Sequence, residues 1–235
     1  MKRIFVSMCV ITMAVMTVMA EDYLGVQVGY AQSIKRLNEP ITGKETVLDP
    51  ISYNGLKLGV VYDATIVEGF GVTLGLNYTF GANATDWMKK VSTQPGPYPK
   101  VRSRGQYHQV EIPVDWQYKF EIAKRTWLIL YTGPTLQCGL AFKDKWYIRT
   151  DNKSDAFTHE ENLYSEEMGD YMLKRLNVTW GIGAGFQYER YFLRGGYDFG
   201  LINPYKAQSF AGIDIYTRGR FDQWQIKLGM YLWER

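Results

Sequence analysis

Cysteine and histidine are almost missing, with two of each among 235 residues. So few thiols and imidazoles provide no disulfide framework and no metal-ligand spacing. Neither sign of charge dominates. Lys+Arg 27 against Asp+Glu 24 gives a formal +3, which is no polybasic field for a nucleic acid. Charged residues at 22% beside hydrophobics at 46% exclude a disordered chain. Past the N-terminal segment there is no second long apolar run, so no further helix can span a bilayer. The mean hydropathy of -0.26 argues only against helical spans, because strands that are apolar on one face average to a soluble-looking value. What the chain does have is aromatic residues at 15%, with Tyr 18 and Trp 7, beside Gly 23. A Tyr- and Gly-rich chain with little cysteine points to β-structure.

Residues 1–20 read as a cleaved secretory signal peptide: Lys2 and Arg3, an apolar stretch from Ile4 to Val18, then Val18-Met19-Ala20 before the cut. The apolar stretch is shorter than a comfortable span, which argues against an anchor helix. Cys9 lacks the small residues before it that a lipoprotein needs, and cleavage removes it, leaving Cys138 alone. Losing Lys2 and Arg3 lowers the formal charge to 25 − 24 = +1. Residues 21–235 then form a single domain.

Along that domain, bulky apolar residues alternate with Gly or polar ones. The clearest stretch sets Phe70, Val72, Leu74, Leu76, Tyr78 and Phe80 against Gly71, Thr73, Gly75, Asn77, Thr79 and Gly81. Similar stretches occupy 24–31, 55–62, 110–118, 128–140, 176–188, 191–200 and 223–232, which predicts eight strands. The connections alternate too. Residues 32–52, 81–105, 143–172 and 202–220 are long and polar, whereas 63–69, 121–125 and Glu189 with Arg190 are short turns. Even strand number, long loops at one end and tight turns at the other predict an all-β, eight-stranded antiparallel up-and-down transmembrane β-barrel. Closing the first strand on the last removes every unpaired edge.

Which face points outward separates a soluble barrel from a membrane one. Gly, Thr, Asn and Gln crowd the non-apolar face, which suits a cramped interior, so the apolar face is expected in lipid. Aromatics gather at strand ends in two lipid-facing girdles. Tyr62, Phe70, Trp116, Tyr118, Tyr188 and Tyr191 are expected near the turns, and Tyr30, Tyr78, Phe80, Trp180 and Phe199 toward the loops. Ordinary β-propensity of aromatics in a soluble sandwich is the competing explanation.

Four segments carry a family resemblance. Val110-Glu111-Ile112-Pro113-Val114 runs into Tyr118-Lys119-Phe120; Gly133-Pro134 follows; then come Gly181 through Phe186, and Arg194-Gly195-Gly196-Tyr197-Asp198-Phe199-Gly200-Leu201-Ile202-Asn203. In this order they resemble the Bacteroidota outer-membrane β-barrel domain family, whose members are eight-stranded OmpA/OmpX-like barrels. The resemblance implies the cell outer membrane and no shared enzymatic activity. The family includes PorT-type proteins tied to type IX secretion. Such barrels usually finish on an aromatic, whereas here Trp233 is followed by Glu234 and Arg235.

The alternation sends Lys57, Glu111, Asp115, Arg194, Asp198 and Lys227 inward, three acids and three bases. An eight-stranded interior is about wide enough to be filled by side chains. Unpaired charges there cost several kcal/mol each, roughly, so opposite partners are expected. A salt-bridged filling is the plain reading, and an ion path through the same residues the sharper one. His108 near Ser103 is the nearest approach to a catalytic group, with no supporting spacing. No catalytic residue, cofactor or metal is expected. The acidic stretch 144–170 is a solvated loop, or a place where divalent cations bridge to lipopolysaccharide. Trp87, Tyr98, Trp146, Tyr147, Phe157, Tyr164, Tyr205, Phe210 and Tyr216 give the loops an aromatic content suited to a protein partner. Three functions stay open: a monomeric structural or interaction barrel contacting outer-membrane lipids and lipopolysaccharide, a small-solute pore, and an accessory part of type IX secretion.

Overall fold

The computed structural model describes residues 21–38, 51–84, 88–89, 100–149, 156–162, 164, 173–206, 208–210, 213–215 and 218–234. The signal-peptide segment 1–20 lies outside them. Eight long strands form the wall: β1 (Glu21–Asn38), β2 (Ile51–Val67), β3 (Phe70–Ala84), β4 (Lys100–Ala123), β5 (Thr126–Arg149), β6 (Leu176–Tyr188), β7 (Tyr191–Gly200) and β8 (Arg218–Glu234). Sequence neighbours pair antiparallel throughout, and β8 also meets β1, which closes the ring. Closure gives the edge of each wall strand a partner without any helix. Short strands attach beyond the wall: Met88–Lys89 pairs with β4, Ala156–Asn162 with β5, and Gln208–Phe210 with Ile213–Ile215.

The period-2 pattern decides which face is which. Leu76, Ile112, Leu136, Ile182 and Leu228 are exposed on the outside. Asn77, Thr79, Glu111, Gln137 and Gln187 are buried within. Gly75 is buried, and Leu74 and Val114 lie on the outward side, half-buried. An apolar exterior running right round a closed sheet has one matching solvent, hydrocarbon.

The turns are shorter than the sequence suggests. Strand pairing continues through Thr65 and Val67, so the first turn is only Glu68 and Gly69, both at positive φ of 40° and 87°. Two consecutive left-handed residues match the twist of a tight hairpin, and glycine takes the second without strain. Residues 121–125 likewise shrink to a turn around Arg125, φ 60°, because pairing persists to Ala123↔Thr126. Only Glu189 and Arg190 keep the expected size. The long loops also shorten. β1 runs to Asn38, β3 to Ala84 and β5 to Arg149, all inside segments read as irregular.

A second departure comes from a bulge. On β4 and β5, His108 pairs with Ala141 and Gln109 with Gly139, so Leu140 has no opposite residue. The extra residue rotates the strand. Leu140 stays outside at 49% exposure while Phe142, two residues on, is buried at 4%.

Candidate functional site: the barrel interior and its rims

The interior is built in three tiers. At the turn end Val61, Phe192 and Tyr231 form a buried apolar floor with Tyr23 packed against it. At the loop end Tyr53, Tyr107, Phe142, Leu173 and Tyr205 form a cap, with Tyr164 and Phe221 against it. Between them lie the charges. Inward rings lie over the neighbouring strand because it supplies glycine at the paired position. A Cβ on Gly229 would fall within the Phe192 ring, and one on Gly81 within the Tyr107 ring.

All six sequence-predicted interior charges are buried, none more than 5% exposed. Lys57 Nζ donates to Glu111 Oε2 at 2.5 Å and to Gln225 Oε1 at 2.6 Å. The second Glu111 oxygen accepts from Thr79 Oγ1 at 2.8 Å and Gln109 Nε2 at 2.6 Å. Gln225 passes the connection on, its Nε2 donating to Asp198 Oδ2 at 2.8 Å. Asp115 and Lys227 interact electrostatically, and no direct bond joins them. Arg194 was expected among these six, but its carboxylate partner is a seventh residue. Arg194 Nη2 donates to Asp63 Oδ2 at 2.9 Å and to Gln117 Oε1 at 3.0 Å, and Nη1 to Thr73 Oγ1 at 3.1 Å.

Asp63 is missing from the six because its sequence context, 63–69, predicts a turn. It is fully buried and accepts from Tyr231 Oη at 2.5 Å, from Lys119 Nζ at 3.2 Å and from Gln117. The signal was present: Asp63 continues the inward phase of Val61, and Lys119 continues that of Asp115 and Gln117. With both included, Lys57, Lys119, Arg194 and Lys227 face Asp63, Glu111, Asp115 and Asp198, and the formal charges cancel. Around Glu111 and Asp63 the donors of several strands converge, which is what a charge in a low-dielectric interior requires.

The spaces left are small or open to the ends. Under the aromatic cap, beside Lys35, Tyr107 and Gln223, about 20 Å³ remains, room for roughly one water. At the turn end two open recesses of about 330 and 280 Å³ share Tyr23, Trp127 and Gln187. The rim of the larger carries Arg125 and Glu189, whose side chains meet at 2.8 Å. That contact holds the Arg125 guanidinium pKa above its ordinary value, and full exposure screens its energetic effect.

The expected girdle residues face outward: Tyr30, Phe70, Tyr78, Phe80, Tyr118, Tyr188, Tyr191 and Phe199 are exposed, and Tyr62 is half-buried. Trp116 and Trp180 do not belong to opposite belts. Their rings stand 5.9 Å apart across β4, β5 and β6, because the stagger of tilted strands brings residues of different distance from the turn to one level. Trp180 Nε1 there donates to Thr132 Oγ1 at 2.9 Å.

His108 lies on the outer wall, its Nδ1 2.5 Å from Tyr78 Oη and its ring 4.9 Å from Phe80. That is an amphipathic residue in the aromatic belt. The side chains of Ser103, His159, Trp146, Phe157 and Phe210, and residues Trp87, Tyr98 and Tyr216, lie outside the described set, as do most side chains of the acidic stretch 144–170. Of the loop aromatics, Tyr205 folds inward onto the cap, 3% exposed, instead of facing solvent. Among the described residues no three His, Cys, Asp or Glu side chains group as metal ligands.

A family model described as "Outer membrane protein beta-barrel domain" matches residues 19–205. No curated protein matches the chain. Among solved structures, Ail, the attachment invasion locus protein of Yersinia pestis, in complex with the heparin analogue sucrose octasulfate, is 13% identical. That match covers 91% of this chain and 100% of that one, with a TM-score of 0.41. Neisserial surface protein A matches at 13% identity over 88% of this chain and 96% of its own, TM-score 0.37. The outer membrane protease OmpT from Escherichia coli matches at 11% identity over 91% and 96%, TM-score 0.40.

Proposed function

This chain belongs to the outer membrane protein β-barrel domain family, and we propose that it is a non-enzymatic barrel with a lumen closed by its own side chains. Its work is then done outside the lumen. The wall meets outer-membrane lipids, lipopolysaccharide included, and the extracellular end meets a protein partner.

The observation that carries this reading is the interior charge set. Four cations and four anions are buried together, tied by amides and hydroxyls, between an apolar floor and an aromatic cap. A selective pore needs a surplus of one sign along a water column, and this set supplies neither surplus nor obvious column.

The partner end is supported by the length of β4 and β5. Both are 24 residues long, and pairing continues from His108↔Ala141 in the aromatic belt to Lys100↔Arg149. Eight residues at about 3.3 Å each carry that hairpin roughly 25 Å along the strand past the belt. A paired ribbon extending past the belt presents side chains and backbone to an external protein.

Single-channel recording of the purified protein in planar bilayers tests the closed lumen. The expected record is silent. A stable open current would instead establish the small-solute pore.

A further inference from the structure

The outer face of β1, β7 and β8 carries a buried carboxylate that has no place in the interior network. Asp222 sits in phase with the lipid-facing Trp224 and Ile226, so its side chain leaves the wall on the outside, yet it is fully covered. Two guanidinium groups cover it. Arg36 Nε donates to Asp222 Oδ2 at 2.8 Å, and Arg220 Nε forms an ion pair with the same oxygen at 3.1 Å. The other oxygen accepts from the Gly200 backbone N–H at 3.1 Å. Arg36 is also bonded to Tyr197. One carboxylate therefore holds two arginines side by side, with a net charge of +1, and both remain 37% and 51% exposed.

Their height on the barrel matters. Asp222 is two residues beyond Trp224, whose ring lies 5.1 Å from Tyr30 in the loop-end belt. Two residues along a strand are roughly 7 Å, which places the pair directly above the interface marked by the belt. Phe199, Leu201 and Ile202 are exposed beside it. Among the residues whose burial is described, the exposed charge at this rim is basic. Arg104, Lys143, Lys174, Arg175, Arg218 and Arg220 are exposed at the loop end, with no exposed carboxylate among the residues whose burial is described. The turn end mixes Glu68, Glu121 and Glu189 with Lys124, Arg125 and Arg190, all exposed.

We infer that Arg36 and Arg220, both held by Asp222, form a clamp for the phosphate of an outer-leaflet lipid headgroup. The site rests on the reading of the wall as lipid-facing. Asp222 engages the Nε side of each fork and Tyr197 one further donor of Arg36, which leaves guanidinium donors for a second oxyanion, and such forks match phosphate oxygens in pairs. A phosphate with two charges turns the net +1 of the cluster negative by one, and the neighbouring Arg218 offsets that. The acyl chains below the phosphate would lie along Phe199 and Ile226.

The test uses purified, folded protein with lipopolysaccharide, and with the same lipopolysaccharide stripped of its phosphates. Wild type should retain the phosphorylated form about tenfold better than the stripped form, and R36Q/R220Q should lose about that factor. R36K/R220K keeps the charge without the fork and should fall between them, which covers a Gln variant that fails to fold. Equal retention of both lipids by wild type, or undiminished retention by a folded R36Q/R220Q, overturns the clamp and leaves the lipid-facing wall standing. Binding of inorganic phosphate alone as tight as that of the lipid would assign the pair to a soluble anion and overturn the lipid source. Failure of the wild type to partition with membranes would overturn the wall and the clamp together.

Discussion

Arg194 of β7 and Asp63 of β2, 131 residues apart in sequence, meet at 2.9 Å in the middle of the barrel. Asp63 is the hub of the turn-end half of the interior. Besides Arg194 it accepts hydrogen bonds from Lys119, Tyr231 and Gln117, so donors from three other strands, β4, β7 and β8, converge on one carboxylate.

Asp63→Ala should therefore be among the most damaging single substitutions. It leaves Arg194 and Lys119 as buried cations without their shared counter-charge, a loss of about 3–5 kcal/mol when one member of such a pair is removed. The temperature at which the unboiled protein changes mobility on SDS gels, or a urea midpoint in lipid vesicles, reports the loss. A midpoint within error of wild type would show that Asp63 does not organise this half.

The loop-end half depends in the same way on Lys57 and Glu111, which meet at 2.5 Å. Lys57→Met should cost about 3–5 kcal/mol by stranding the carboxylate. Removing both charges, as K57M/E111L, should restore more than half of that, since replacing a buried pair by apolar groups is often close to neutral. A cycle of the two single variants and the double variant in urea gives the coupling. Purely additive losses would mean that the two residues do not act as a pair.

The wall was legible in the sequence because a period of two is local: Leu76 out and Asn77 in can be read from six neighbouring residues. The family-bearing stretches 110–118 and 194–203 coincide with β4, and with β7 and the segment just past it, for the same reason. The interior was less legible. Asp63 and Lys119 keep the inward phase, but they stand next to turn-forming residues, and the turn reading overrode the phase. Phe192 and Tyr231 are inward aromatics in a chain whose other strand aromatics mostly face lipid. Only the opposing glycine at 229, on a different strand, reveals where the Phe192 ring goes. Partner identity was not legible at all. Strand register and stagger decide that Arg194 meets Asp63 and not Asp198, and that Trp116 stands beside Trp180.

Depth along the wall sets a third expectation. Leu228 is 56% exposed and pairs with Val28 and Leu193 near mid-wall, whereas Leu232 is 60% exposed close to the chain's turn-side end. In lipid, an arginine costs roughly 2–4 kcal/mol at the bilayer midplane and about 0–1 near the interface. Leu228→Arg should thus destabilise the vesicle-embedded protein severely, and Leu232→Arg only slightly. Equal, small effects at both positions would mean that this face meets water.

The last expectation concerns the floor. The Phe192 ring occupies the space in which a Cβ on Gly229 would stand, on the neighbouring strand β8, and packs at a tilt against Tyr231, 4.8 Å between ring centroids. Gly229→Ala forces the ring out of its place or shifts the backbone near Val26, and overpacking of that kind typically costs about 1–3 kcal/mol. Phe192→Ala alone opens a cavity at a fully buried ring and should cost about 3–5 kcal/mol. The double variant should lose less than the two singles summed, because with the ring gone the new methyl has room, and part of the cavity is refilled. Urea midpoints of the four proteins measure this directly. If the double variant loses the full sum, Phe192 and Gly229 are independent, and glycine at 229 has some other cause. If Gly229→Ala alone is harmless, the ring has a second resting place and the floor is softer than its packing indicates.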